Sequence, residues 1–160
     1  RDKDAIVSSL LIAEMAAFYN SKGTSIYKEL QKLYQEFGYY LEGIKSVTLT
    51  GKDGIEKMAN LMTELRETVK DRTIDKNIKI KRDFKTKKEL IVATGEEKDI
   101  LLPVENVIQF VLEDDTYITA RPSGTEPKIK FYFSVNAPTK EEVEKKLNET
   151  MEKFVATLKL

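Results

Sequence analysis

The chain has 160 residues, enough for one compact domain plus part of another, and its 41% hydrophobic content supports a buried core rather than general disorder. Lys+Arg and Asp+Glu are 27 each, so the formal net charge is zero and the overall footprint of a strong nucleic-acid binder is missing. There is no His and no Cys, which excludes zinc fingers, disulfides, thiol nucleophiles and any Ser-His-Asp triad.

The first residue is Arg rather than Met, and the chain reads as a piece of a longer one. Its longest apolar stretch, Ala5 to Tyr19, is interrupted by Ser8, Ser9 and Glu14 and is too short to span a bilayer. It also lacks the flanks of a signal peptide, so no membrane partner and a cytoplasmic location are expected. Asp4 to Tyr19 predicts a helix that is apolar on nearly every face, through Ile6, Val7, Leu10, Leu11, Ile12, Met15 and Phe18. Such a helix is normally buried on all sides. Gly23 ends it, and Ser25 to Leu41 predicts an amphipathic helix carrying Ile26, Leu30, Leu33, Tyr34 and Phe37. Two helices cannot cover the first one. Its cover is expected from upstream residues or another chain, and residues 5–19 left open would favour self-association.

Residues 1–42 therefore read as a helical tail and residues 43–160 as a separate α+β domain, joined by a short linker near Glu42-Gly43. Tyr39 and Tyr40 are expected to pack at that linker. Val47 to Leu49 predicts a strand. Asp53, three residues before Glu56, starts a helix whose stripe is Ile55, Met58, Ala59, Met62, Leu65 and Val69. Ile78 and Ile80 alternate with Lys79 and Lys81 as in a half-buried strand. Strands follow at Asn106–Leu112 and Tyr117–Ala120, separated by a turn at Glu113-Asp114-Asp115-Thr116. Another runs from Lys128 to Val135 with Ile129, Phe131 and Phe133 on one face. A capping box, Thr139 with Glu142, opens a last helix through Val143, Leu147, Met151, Phe154, Val155 and Leu158. The pattern predicts an antiparallel sheet of four to five strands with two helices on one face, preceded by the two helices of the tail.

The segment Arg121-Pro122-Ser123-Gly124-Thr125-Glu126-Pro127-Lys128 lies between two strands and carries the most chemistry. Pro122 and Pro127 stiffen it. Gly124 allows an unusual backbone conformation or the close approach of a ligand. Arg121 offers a planar fork of donors suited to phosphate oxygens, Ser123 and Thr125 add hydroxyls, and Lys128 adds a mobile positive charge. Successive loop amides can form an anion nest. The same residues also suit a stiff surface turn, and Glu126 argues against a purely cationic cradle. Composition leaves both readings open.

RPSGTEPK followed by IKFYF resembles the phosphate-binding loop in the last domain of the α-D-phosphohexomutase superfamily, which includes phosphoglucomutase and phosphomannomutase. The opening RDKD, running into an apolar helix, is similar to the end of that family's third domain. The IKFYF continuation looks more like bacterial phosphoglucomutases than phosphoglucosamine mutases. The resemblance implies a C-terminal piece of an isomerase that interconverts hexose 1-phosphate and hexose 6-phosphate. An enzyme phosphoserine would donate its phosphoryl group, a hexose 1,6-bisphosphate would form and reorient, and Mg2+ would assist at the phosphoserine. Arg121, Ser123, Gly124, Thr125 and Lys128 would hold the phosphate that is not reacting. The phosphoserine, magnesium and sugar-recognition loops have no counterpart here, and no Asp-x-Asp-x-Asp run occurs. The resemblance therefore implies an inactive piece whose partners are a hexose phosphate and the N-terminal domains of the same protein. Lys3 matches an active-site lysine of the family, an acid/base or phosphate contact. At a chain end, fraying or an ion pair with Asp2 or Asp4 is the competing reading.

Two other classes stay in play. Lys70 to Glu89 is rich in basic residues and would serve a small nucleic-acid-binding module, although Phe84 is its one aromatic and alternating charge suits an edge strand. The apolar first helix would serve a protein-interaction fragment. Glu96, Glu97 and Asp99 read as solvated loop acids rather than a cation site.

Overall fold

Alternation along the last strand decides the fold. From Lys128 to Ala137, residues Ile129, Phe131, Phe133 and Val135 turn to one face and are each at most 1% exposed. A strand that buries every second side chain this completely needs a neighbour on each side and a layer over that face. The computed structural model describes residues 4–51, 53–67 and 78–158. Lys3, Val69 and the start of the basic run at Lys70 lie outside the described residues.

The chain folds as two compact units, divided between Tyr39 and Tyr40. The first holds α1 (Ala5–Ser21) and α2 (Ile26–Phe37). Asp4 caps α1 by accepting from the Val7 amide at 3.0 Å, and Ser25 caps α2 by accepting from the Lys28 amide. Gly38, at φ +86°, stops α2 four residues earlier than the sequence suggests. No described residue of α1 is buried: Ile6 is 85% and Leu10 68% exposed.

The second unit carries a seven-stranded sheet whose first strand starts one residue before the division: β1 (Tyr39–Thr48), β2 (Ile78–Asp83), β3 (Lys88–Ile91), β4 (Glu96–Asp99), β5 (Ile108–Leu112), β6 (Tyr117–Pro122) and β7 (Lys128–Ala137). Their spatial order is β1-β7-β6-β5-β2-β3-β4, and the pairs from β7 through β4 are antiparallel. Helices α3 (Gly54–Glu67) and α4 (Lys140–Ala156) cover one face. From α3 come Leu61, Met62 and Leu65; from α4 come Val143, Leu147 and Phe154, whose ring meets Phe131 edge-on at 5.2 Å. The Thr139–Glu142 capping box that starts α4 is fully formed.

Several expectations are corrected. The sheet has seven strands rather than four to five, because β3 and β4 extend it past β2 and β1 joins it beside β7. Consequently β2 is an interior strand, not an edge, and Glu96, Glu97 and Asp99 sit on β4 rather than in a loop. Tyr39 and Tyr40 begin β1; Tyr39 stacks on Tyr34 with ring centres 4.7 Å apart. Gly43 is a strand residue packed beneath α4, where an added Cβ would come 2.8 Å from the Met151 sulfur, so it is not a linker.

Candidate anion-binding site

Residues 121–128 close the hairpin between β6 and β7. The Ser123 amide donates to the Lys128 carbonyl at 2.7 Å, and the Lys128 amide donates to Glu126 at 2.8 Å. Inside the bend the Ser123 hydroxyl oxygen accepts from the Thr125 and Glu126 amides, each at 3.3 Å, and lies 3.4 Å from the Thr125 hydroxyl. Two amides converging on one oxygen make a tight turn. The turn is tied sideways to the rest of the unit, since the Leu49 amide donates to the Pro127 carbonyl at 2.8 Å.

Register decides which side chains meet. Arg121 stands directly across from Lys130, and Pro122 across from Ile129. Ile129 is in the core, so Arg121 and Lys130 share the face away from the helices. There they line a shallow pocket of about 230 Å³ with Pro122, Ser123, Gly124 and Tyr132. Among the described residues neither Arg121 nor Lys130 has an ion pair or side-chain hydrogen bond. A guanidinium, an ammonium and a hydroxyl open to one small cavity suit an oxyanion with several charged oxygens.

The residues singled out from the sequence divide here. Arg121, Ser123 and Gly124 come together in the pocket wall. Thr125 is exposed at the tip and touches the site only through Ser123. Lys128 is half-buried at the hairpin base and does not line the pocket. Gly124 has a negative or extended φ rather than a left-handed one, so its use is open space: a Cβ there would meet nothing within 4 Å. Lys130 and Tyr132 are the residues the sequence reading missed. The available signal was register, because a hairpin closed between 123 and 128 must set 121 against 130.

Beyond the pocket, the same face carries a hydrogen-bonded row across four strands. Arg82 donates to Glu89 at 2.6 Å and to the Gln109 side-chain oxygen at 2.9 Å, and Gln109 donates to Thr119 at 3.0 Å. Thr119 faces Tyr132 across the ladder. In the basic run, Lys79 pairs with Asp115, Lys88 with Asp99, and Lys81 donates to the Arg66 carbonyl. Its described cations are thus largely engaged within the fold. Among the described residues no three His, Cys, Asp or Glu side chains gather where a metal ion could be held. No described helix is long and apolar enough to cross a membrane.

Known proteins resemble the chain over most of its length. Over 148 residues, 92% of its length, the chain is 34% identical to the phosphoglucomutase of Staphylococcus aureus (strain MRSA252). Over 143 residues, 89% of its length, it is 33% identical to that of Staphylococcus haemolyticus (strain JCSC1435). Over most of its length the chain is thus similar to part of these phosphoglucomutases. It spans about a quarter of these relatives, 27% and 26% respectively. No family model matches it. The fold is similar as well to part of a solved phosphoglucomutase: the open form of pp63/parafusin from Paramecium matches 96% of this chain with 28% of its own. The TM-score is 0.51 at 18% identity.

Proposed function

We propose that this segment is the phosphate-gripping C-terminal part of a phosphohexomutase that interconverts hexose 1-phosphate and hexose 6-phosphate in the cytoplasm. In the parent protein a phosphoserine would pass its phosphoryl group to the free sugar hydroxyl. The resulting hexose 1,6-bisphosphate would turn over in the site, and its other phosphoryl group would return to the serine. Magnesium belongs with the phosphoserine, outside this segment. The role assigned to the β6–β7 hairpin is to hold the phosphate that is not reacting. Arg121 and Lys130 would neutralise it, Ser123 and Gly124 would shape the cavity, and Thr125 and Lys128 would set the hairpin around it. This is positioning, which lowers the barrier by fixing the sugar against the reacting group.

The observation that carries the reading is the Arg121–Lys130 pair, two uncommitted cations at one cross-strand position beside the Ser123 hydroxyl. The test is titration of the 160-residue chain with inorganic phosphate, followed by backbone amide NMR. Saturable shifts at residues 121–130 in the wild type, lost in Arg121→Ala at unchanged melting temperature, are expected. An equal response from both proteins would refute the assignment. The chain alone is expected to bind phosphate weakly and to turn over no sugar phosphate. Helix α1, with its apolar residues exposed, is assigned to packing against the remaining domains. In the isolated chain it should drive self-association that Leu10→Lys removes, measured by light scattering.

A further inference from the structure

The hairpin is tied from the side to the end of β1, and that end packs on a glycine. Leu49 follows β1, is 8% exposed, and its amide makes the 2.8 Å bond to the Pro127 carbonyl. Its own carbonyl oxygen points back at Gly54, the first residue of α3, which is buried. A Cβ on Gly54 would overlap that oxygen and come 3.1 Å from the Pro127 ring and 3.3 Å from the Leu49 carbonyl carbon. All three obstacles belong to the bridge between β1 and the hairpin. Two are backbone atoms and the third is part of a rigid ring, so none can swing aside as a flexible side chain would. By contrast, the nearest atoms to a Cβ on Gly43 are the flexible side-chain ends of Met151 and Leu147. Gly54 does not have a left-handed φ, so conformational freedom does not explain it. What the site demands of residue 54 is the absence of a side chain.

We infer that Gly54 is a positioning residue for the anion hairpin. By letting α3 close onto Leu49 and Pro127, it sets where Ser123 stands relative to the Arg121–Lys130 rung. This rests on the phosphate-gripping reading above and extends it to a residue that lines no part of the pocket. Any side chain at 54 displaces Leu49, Pro127 or both. The hairpin then shifts at its Pro127 end while the Arg121–Lys130 ladder stays put, and the cavity between them changes shape. Displacements of this kind at a charged cluster cost affinity steeply because several short contacts must be met together.

The test compares Gly54→Ala with Gly43→Ala in the 160-residue chain, reading the amide signals of 123–128, the melting temperature and the affinity for inorganic phosphate. Gly54→Ala is expected to move the 123–128 signals before any phosphate is added and to weaken phosphate binding about tenfold. Gly43→Ala is expected to lower the melting temperature while leaving both readouts near wild type. Hairpin signals unmoved in Gly54→Ala, or an affinity unchanged, would overturn the inference, as would an equal loss in both variants. Should the wild-type chain itself fail to bind phosphate while Gly54→Ala still displaces the hairpin, the phosphate assignment fails and the positioning role for it falls with it. Should Gly54→Ala prevent folding altogether, the variant Pro127→Ala, which removes the ring but keeps the carbonyl that accepts from Leu49, decides the matter. It must shift the 123–128 signals and weaken phosphate binding, and wild-type affinity there would overturn the inference.

Discussion

Arg121 and Lys130 occupy directly opposed positions on β6 and β7, so two positive side chains share one rung of the ladder. Like charges so placed oppose folding, and an anion between them reverses the sign. Replacing Lys130 with Thr should raise the melting temperature of the free chain slightly. It should also reduce the extra stability conferred by millimolar phosphate. Thermal melts with and without phosphate check this. A Lys130→Thr chain that is less stable alone yet equally stabilised by phosphate would contradict it.

Arg66 and Asp83 form the ion pair with the most burial among those described, at 17% and 10% side-chain exposure, with Nε 3.4 Å from the carboxylate. Asp83 also accepts from the Lys85 amide, and Arg66 donates to Asn106. Asp83→Ala removes the guanidinium's counter-charge, leaving Arg66 its bonds to Asn106 and the Met62 carbonyl, and takes the acceptor from the Lys85 amide; it should cost about 2 to 3 kcal/mol. Lys79→Met breaks an exposed pair with Asp115 and should cost under about 1 kcal/mol. Urea denaturation of both variants gives the comparison.

Lys88 and Asp99 join β3 to β4 at 2.8 Å. The hydrogen bond from Lys88, then its charge, holds the Asp99 carboxyl below its ordinary value; the same bond holds the Lys88 ammonium above its own. The carboxylate's contribution is present above the unfolded value and is lost as pH falls through the lowered folded one. The ammonium's contribution is full below the ordinary lysine value and is lost as pH rises through the raised one. The stability difference between wild type and Lys88→Met should therefore vanish in acid as Asp99 protonates. NMR titration of the Asp99 side-chain carbon should show its midpoint rise in Lys88→Met. An unmoved midpoint would count against the pair.

The parts of this fold that could be read from the sequence are those where burial imposes a period. Ile129, Phe131 and Phe133 alternate because one face of β7 is dry, and Thr139 with Glu142 marks α4 because helix ends need partners for free amides. Strands β3 and β4 escaped because KELI and EEKD have no fully buried residue. With little to bury there, no alternation was required, and the pairing rests on backbone bonds and the Lys88–Asp99 bridge. Gly43 looked like a linker because its small size was visible and the α4 side chains filling its place were not. In the site, Arg121, Ser123 and Gly124 stood out through the chemistry of one short run. Lys130 and Gly54 did not, since the first depends on register and the second on a contact between distant segments.

Strand β1 is the earliest of the seven in the chain, yet its neighbour in the sheet, β7, is the latest. A ribosome therefore delivers β1 long before the strand it must rest against exists. The middle of the sheet, where β5, β6 and β7 follow one another through short turns, can assemble locally, and β1 must wait to be seated last. Pulse-labelled refolding should protect β5 to β7 before β1, and the opposite order would show that the earliest strand finds another resting place first.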